Sequence, residues 1–179
     1  SMLGASGLNN AVNDQTLEKP GEILDALSSY AYSNLNKGEK RNHANDGMDM
    51  SLVAIDGASG TMETAGAFNP IVVVRDQELT TIKGDRYSIG SNNEKGLFQT
   101  RTMDLQKGDM IYLFSDGYQD QFGGEKGKKF MTKNLKLLFK QIAAMDVHRQ
   151  KNELQEALEK WKGELEQIDD ILVIGILFN

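Results

Sequence analysis

The chain has 179 residues, with 20 Lys and Arg against 26 Asp and Glu, a formal charge of −6. That length suits about one domain, and the acidic balance excludes a dedicated nucleic-acid binder. With no cysteine and only two histidines, His43 and His148, the chain can build no disulfide, thiolate nucleophile, cysteine-bound zinc or all-histidine metal site.

The first segment, Ser1 to Asp14, reads as a helix with Leu3, Leu8, Ala11 and Val12 on one face, although Gly4 and Gly7 weaken it. A second helix starts at Pro20, a residue suited to the first helical position, and carries Ile23, Leu24, Leu27, Tyr30, Ala31 and Leu35 before Lys37-Gly38. Residues 38–47 are polar and read as a loop. The period then shortens. Met50 to Ile55, Met62 to Phe68, Ile71 to Val74 and Leu79 to Ile82 are strand candidates, with Asp56-Gly57 and Arg75 to Glu78 as turns. Phe98 to Met103 and Met110 to Phe114 follow as strands, separated by a turn at Lys107-Gly108-Asp109.

Two helical stripes come next, Leu135, Leu138, Phe139, Ile142 and Met145, then Leu154, Ala157, Leu158 and Trp161. The chain closes on Ile171 to Phe178, an apolar run expected to be a buried strand and far short of the roughly 20 residues of a membrane helix. Short connections between strands, with helix pairs on either side, predict an α+β fold with mainly antiparallel sheets. No signal peptide precedes these elements, so a cytoplasmic setting is expected.

Three acidic features could carry chemistry. Ser115-Asp116-Gly117 directly follows the strand Met110 to Phe114, and Asp169-Asp170 directly precedes the final strand. Asp46-Gly-Met-Asp49 lies ahead of Met50. Carboxylates at separate strand ends can converge on a hard divalent cation, and Mg²⁺ and Mn²⁺ both prefer oxygen ligands. Two such ions can activate a water and clamp a phosphoryl group. The alternatives are plain: Asp-Gly is a common turn pair, and paired aspartates at a strand start also serve as solvated or capping residues. Lys126, Lys128, Lys129, Lys133, Lys136 and Lys140 form a basic stretch that could meet a phosphate or simply face solvent.

Ala65-Gly-Ala-Phe-Asn-Pro70, then Lys107 through Ser115-Asp-Gly-Tyr118, then Gln167-Ile-Asp-Asp-Ile-Leu-Val-Ile174 occur in an order that resembles the stage II sporulation protein E-like serine phosphatases, a bacterial branch of the metal-dependent type 2C protein phosphatases. Asp46 to Asp49 and Asp120-Gln-Phe-Gly-Gly124 resemble the subgroup found as output domains of large bacterial sensor proteins. The resemblance covers essentially the whole chain as a single domain, residues 1–179. It implies an α-β-β-α sandwich of two mainly antiparallel sheets flanked by helices. It also implies hydrolysis of phosphoserine or phosphothreonine by a water activated on Mn²⁺ or Mg²⁺. Asp116 matches the metal aspartate of the family's "DG" motif, Asp169 that of its "DD" motif, and Asp170 is the weaker neighbour. Gly117 permits the tight turn beside the metal.

One departure stands out. The family's first motif, an aspartate followed by Gly-His-Gly, precedes the helix that Ser1 begins. The chain is therefore expected to be an N-terminally truncated fragment without the first strands and the bridging aspartate. The helix pair, residues 1–36, corresponds to an element that shifts under control of an upstream sensor domain. The resemblance further implies a phosphorylated protein substrate, such as an anti-sigma-factor antagonist, and a parent protein that can be membrane-attached. Uncovered strands point to a homodimer. The competing function is a non-catalytic, partner-binding phosphatase-like module, favoured for the isolated chain by the absent motif.

Overall fold

The computed structural model describes residues 2–14, 16–35, 47–91 and 97–179. These residues form an α+β arrangement of two antiparallel sheets, each with its own helix pair, divided between two compact units. The first unit comprises Ser1–Pro70 and Lys83–Leu105, the second Ile71–Ile82 and Gln106–Asn179.

In the first unit, α1 (Met2–Asn13) packs on α2 (Pro20–Leu35), and α2 lies on a sheet of β1 (Met50–Asp56), β2 (Thr61–Ala67) and β5 (Arg101–Asp104) in the order β1-β2-β5. The labels β3 and β4 belong to Ile71–Arg75 and Glu78–Ile82 of the second unit. The predicted apolar face of α2 is the one that packs: Leu24, Leu27 and Ala31 are buried with Ala65, Ala67, Ile89 and Phe98. Tyr30 is half-buried and lies against α1 at Gly7, so that glycine marks a helix crossing rather than a weak point. The N-terminus of α2 is fixed by the Gly21 N–H donating to Thr100 Oγ1 at 2.9 Å. Asp25 accepts from the Phe98 N–H at 3.0 Å. The strand predicted over Phe98 to Met103 begins later, at Arg101. Residues 98–100 serve instead as a strap under α2, because their N–H groups and side chains bond to helix and loop partners rather than to a strand.

In the second unit the sheet order is β4-β3-β6-β9, with β6 Met110–Phe114 and β9 Val173–Leu177. β3 and β4 form the predicted hairpin, closed by Asp76 and Gln77, both at positive φ, as a two-residue turn between antiparallel strands requires. Helices α4 (Thr132–Ile142) and α5 (Val147–Lys162) cover one face. The short α3 (Gly117–Asp120) and the hairpin of β7 (Phe122–Gly123) and β8 (Lys128–Lys129) lie between β6 and α4 in sequence. Phe139, fully buried, stacks on Tyr112 with ring centroids 4.1 Å apart and meets Phe114 at 5.4 Å. Such aromatic contacts add to the burial of the rings themselves. Burial also pushes the Tyr112 and Tyr118 hydroxyls far above their usual titration range, and both donate, to Gln150 Oε1 and to the Leu154 carbonyl.

The expectation that Ile171 to Phe178 forms a buried strand is corrected. β6 is central, but β9 is the edge of the sheet among the described residues, and it covers only Val173–Leu177. Leu172, Ile174 and Leu177 are 58%, 44% and 41% exposed. An apolar run records what a strand can bury, not whether a neighbour is there to cover it. No helix among the described residues is long and apolar enough to cross a membrane.

Candidate metal centre

β6 carries the chain to Ser115-Asp116-Gly117, and β9 begins just after Asp169-Asp170. Because β6 and β9 are antiparallel neighbours, with Phe114 opposite Val173, the end of one strand lies beside the start of the other. Both predicted acidic turns therefore fall at one end of one sheet.

Backbone contacts join them closely. The Ser115 N–H donates to the Leu172 carbonyl at 3.0 Å. Its Oγ donates to the Asp170 carbonyl at 3.0 Å and accepts from the Leu172 N–H at 3.0 Å. A Cβ at Gly117 would lie 2.3 Å from the Asp170 carbonyl oxygen, so only glycine allows this approach. Asp116 occupies the N-cap position of α3, but its side chain makes no capping bond. Its carboxylate is left for another partner.

The carboxylates are presented to solvent. Asp116, Asp169 and Asp170 are all exposed, and no ion pair to a Lys or Arg involves them among the described residues. Asp169 Oδ1 accepts from the Asp170 N–H at 2.7 Å, and Gln167 Nε2 donates to the Asp169 carbonyl at 2.7 Å. Gln167, Ile168, Asp169 and Asp170 line a shallow polar depression. Hard oxygen donors without a protein cation suit Mn²⁺ or Mg²⁺ in donor chemistry. Among the described residues no group of three or more Asp, Glu or His side chains is gathered around one point, so the donor set is two facing turns rather than a closed cage.

The remaining candidates separate from this pair. Asp49 belongs to the first unit, where Oδ1 accepts from Ser88 Oγ at 2.5 Å. Asp46 and His43 lie outside the described residues. His148 is exposed at the start of α5, its N–H bonded to the Asp146 cap at 2.9 Å. Lys126, Lys128, Lys129 and Lys133 are exposed, and Lys129 pairs with Asp120 at 2.8 Å.

Two long-range pairings also shape this unit. Arg75 and Asp109 fall in separate predicted turns, yet they form a two-pronged ion pair, Nε to Oδ1 at 2.7 Å and Nη2 to Oδ2 at 2.5 Å. Gln121 is fully buried and hydrogen-bonds the segment ahead of Asp169. Neither pairing has a sequence signal, because the partners are 34 and 45 residues apart.

The profile of the family described as Stage II sporulation protein E (SpoIIE) matches residues 1–179. A comparison with curated proteins finds no match. Among solved structures, the SiaA-PP2C domain of Pseudomonas aeruginosa is similar at 25% identity and a TM-score of 0.87, over 99% of this chain and 67% of that one. The PP2C phosphatase domain with a regulatory fragment of SpoIIE from Bacillus subtilis is similar at 16% identity and a TM-score of 0.70, over 98% and 48%. The RsbU and RsbW domains of a Mycobacterium tuberculosis protein are similar at 19% identity and a TM-score of 0.68, over 96% and 45%. The chain thus spans two thirds of the first of these structures and about half of the other two. The chain belongs to the SpoIIE family and has the fold of PP2C phosphatase domains.

Proposed function

We propose that this chain is part of a metal-dependent protein serine/threonine phosphatase, the output region of a bacterial signalling protein, with Asp116 and Asp169 as ligands of Mn²⁺ or Mg²⁺ and Asp170 as a weaker contributor. The observation that carries the reading is the contact of Gly117 with the Asp170 carbonyl, which brings two unpaired carboxylate turns to one sheet end. When bound, the divalent ion supplies an activated water and neutralises charge on a phosphoryl group. The chain's own residues do the rest. Asp116 and Asp169 bind and orient, Ser115 ties their strands together, and the exposed setting leaves room for a phosphorylated side chain of a protein substrate.

The family membership and the RsbU and RsbW neighbour support a substrate in a signalling cascade, such as an anti-sigma-factor antagonist, and an upstream sensor acting through α1 and α2. A second reading, a non-catalytic partner-binding module, is favoured by the two-turn donor set.

Calorimetric titration with Mn²⁺ tests the metal assignment. Asp116→Asn and Asp169→Asn are each expected to weaken binding by more than the roughly 10–100-fold typical of residues that only support a ligand. Unchanged affinity in both variants overturns it. Hydrolysis of p-nitrophenyl phosphate that requires Mn²⁺ and both aspartates separates the catalytic reading from the binding module.

A further inference from the structure

We infer that Gln121 is a positioning residue that holds the segment bearing Asp169 in register with the turn bearing Asp116. The inference rests on the reading of those two aspartates as divalent-cation ligands.

Gln121 sits just past α3, and nothing of it is exposed. Its N–H donates to the Gly117 carbonyl at 3.1 Å, one residue from Asp116. Its side-chain Nε2 donates to the Glu166 carbonyl at 2.9 Å, three residues ahead of Asp169, and to the Phe122 carbonyl at 3.1 Å. One residue therefore grips both carboxylate-bearing segments.

The segment needs a grip. Residues 163–170 are exposed throughout and form neither helix nor strand, so they have little packing of their own to fix them. The surrounding Asp120–Gly124 motif anchors their upstream end. Trp161 Nε1 donates to the Gln121 carbonyl at 3.1 Å, and the Gly124 N–H donates to the Trp161 carbonyl at 2.8 Å. A Cβ at Gly123 would lie 1.9 Å from that same carbonyl oxygen, so β7 presses directly on the last turn of α5. Phe130 meets the Trp161 ring edge-on at 5.4 Å and donates its own N–H to the Gln121 carbonyl at 2.9 Å. The segment is thus held at Trp161, at Glu166 and at Asp170, and Gln121 makes the middle hold and contributes to the first.

Gln121 also carries a cost that points to a purpose. Its Oε1 finds no donor among the described residues, although it is buried. A methionine would fill a similar volume without stranding a polar atom. What the glutamine adds is its two N–H donors, and one of them fixes Glu166.

The test compares Gln121→Met and Gln121→Asn with Gln150→Met. Gln150 is a control of the same kind: 3% exposed, bonded to Tyr112, Met110, Met145 and Ala143, with no hydrogen bond to residues 115–117 or 166–170 among the described residues. Mn²⁺ affinity is read by calorimetry, amide hydrogen exchange at residues 166–170 by mass spectrometry, and the unfolding temperature in parallel. Both Gln121 variants are expected to bind Mn²⁺ roughly 10–100-fold more weakly and to exchange faster across 166–170. Gln150→Met should lower the unfolding temperature and leave Mn²⁺ affinity unchanged. Gln121→Asn keeps a buried amide but withdraws it by one methylene, so it carries the comparison if the methionine variant does not fold. Wild-type affinity in a folded Gln121 variant overturns the inference, and so does an equal loss of affinity in Gln150→Met. Asp116→Asn, measured alongside, keeps the two readings apart. If it and Asp169→Asn both bind Mn²⁺ normally, the metal assignment fails. If it binds weakly while Gln121→Asn binds normally, only the positioning role fails.

Discussion

Gly117 and Asp170 are in backbone contact: a Cβ on the former would sit 2.3 Å from the carbonyl oxygen of the latter and 3.0 Å from its carbonyl carbon. Neither atom belongs to a flexible side-chain end, so an added methyl group must push two strand ends apart. Gly117→Ala is expected to cost about 1–3 kcal/mol of stability, as overpacking does. It should also weaken Mn²⁺ binding, because the displaced backbone carries Asp116 on one side and Asp169 on the other. Chemical denaturation and calorimetric titration check the two effects. Loss of stability with full metal affinity would show that the contact is structural alone.

That contact separates what the sequence reveals from what it hides. The Asp116 turn was legible because β6 is a run of five apolar residues that ends on Ser-Asp-Gly, and the hairpin at Asp76-Gln77 was legible because β-branched residues flank a polar turn. The start of α2 followed from Pro20 and its packed face from the helical spacing of Leu24, Leu27 and Ala31. What stayed hidden depends on pairing over long separations. Nothing local distinguishes Gly117 as a contact from Gly117 as a turn. The exposure of Ile174 depends on which strand lies beside β9, and the burial of Gln121 depends on α5 returning 40 residues later through Trp161.

The Arg75–Asp109 pair sets an acid limit on stability. Burial alone would raise the Asp109 carboxyl, but hydrogen bonds from Arg75 and from the Gln106 N–H at 2.9 Å, with the Arg75 charge, hold it below its ordinary value of 3.8. A carboxylate with a lowered folded-state pKa contributes stability that is complete above its unfolded value and is lost as pH falls through the folded one. Asp109→Asn is therefore expected to cost about 3 kcal/mol at neutral pH, since it removes the buried carboxylate that accepts from both prongs of Arg75 and from the Gln106 N–H. The gap between wild type and variant should close below pH 3.8, the ordinary value. Urea unfolding at several pH values measures it, and a gap that stays constant into acid would rule out the pair as its source.

Phe139 is the keystone of the second unit's helical face. It is 0% exposed, stacks on Tyr112 and contacts Phe114, so this ring ties α4 to β6, beside the buried Leu135 and Ile142 of the same helix. Phe139→Ala should cost about 3–5 kcal/mol, a transfer loss plus a cavity that the sheet cannot collapse to fill. Against a total stability of roughly 5–15 kcal/mol, that is a large fraction. Denaturant midpoints read the loss, and a cost under about 1 kcal/mol would mean that α4 repacks freely.

The edge strand β9 governs the behaviour of the isolated 179-residue chain. Its sequence, Val-Ile-Gly-Ile-Leu, has no charge and no proline, the usual devices that keep an edge from pairing with another copy. Ile174 and Leu177 stand 44% and 41% exposed on its two faces, and Leu172 just ahead of it is 58% exposed. Beyond β6, no strand pairs with β9 among the described residues. Unpaired backbone groups beside exposed apolar side chains favour strand addition between copies, and two-fold pairing is the commonest closed form. The isolated chain is expected to self-associate at high micromolar concentration. Ile174→Lys should weaken that association roughly tenfold or more. It removes an apolar contact worth about 1.5–3 kcal/mol when fully buried and places a charge on the edge. The backbone bonds from β9 to β6 do not involve this side chain, so the fold should be retained. Sedimentation velocity across a concentration series, on both proteins, measures the effect. A wild-type chain that remains monomeric throughout, or a lysine variant that associates equally well, would show that β9 is not the surface through which copies meet.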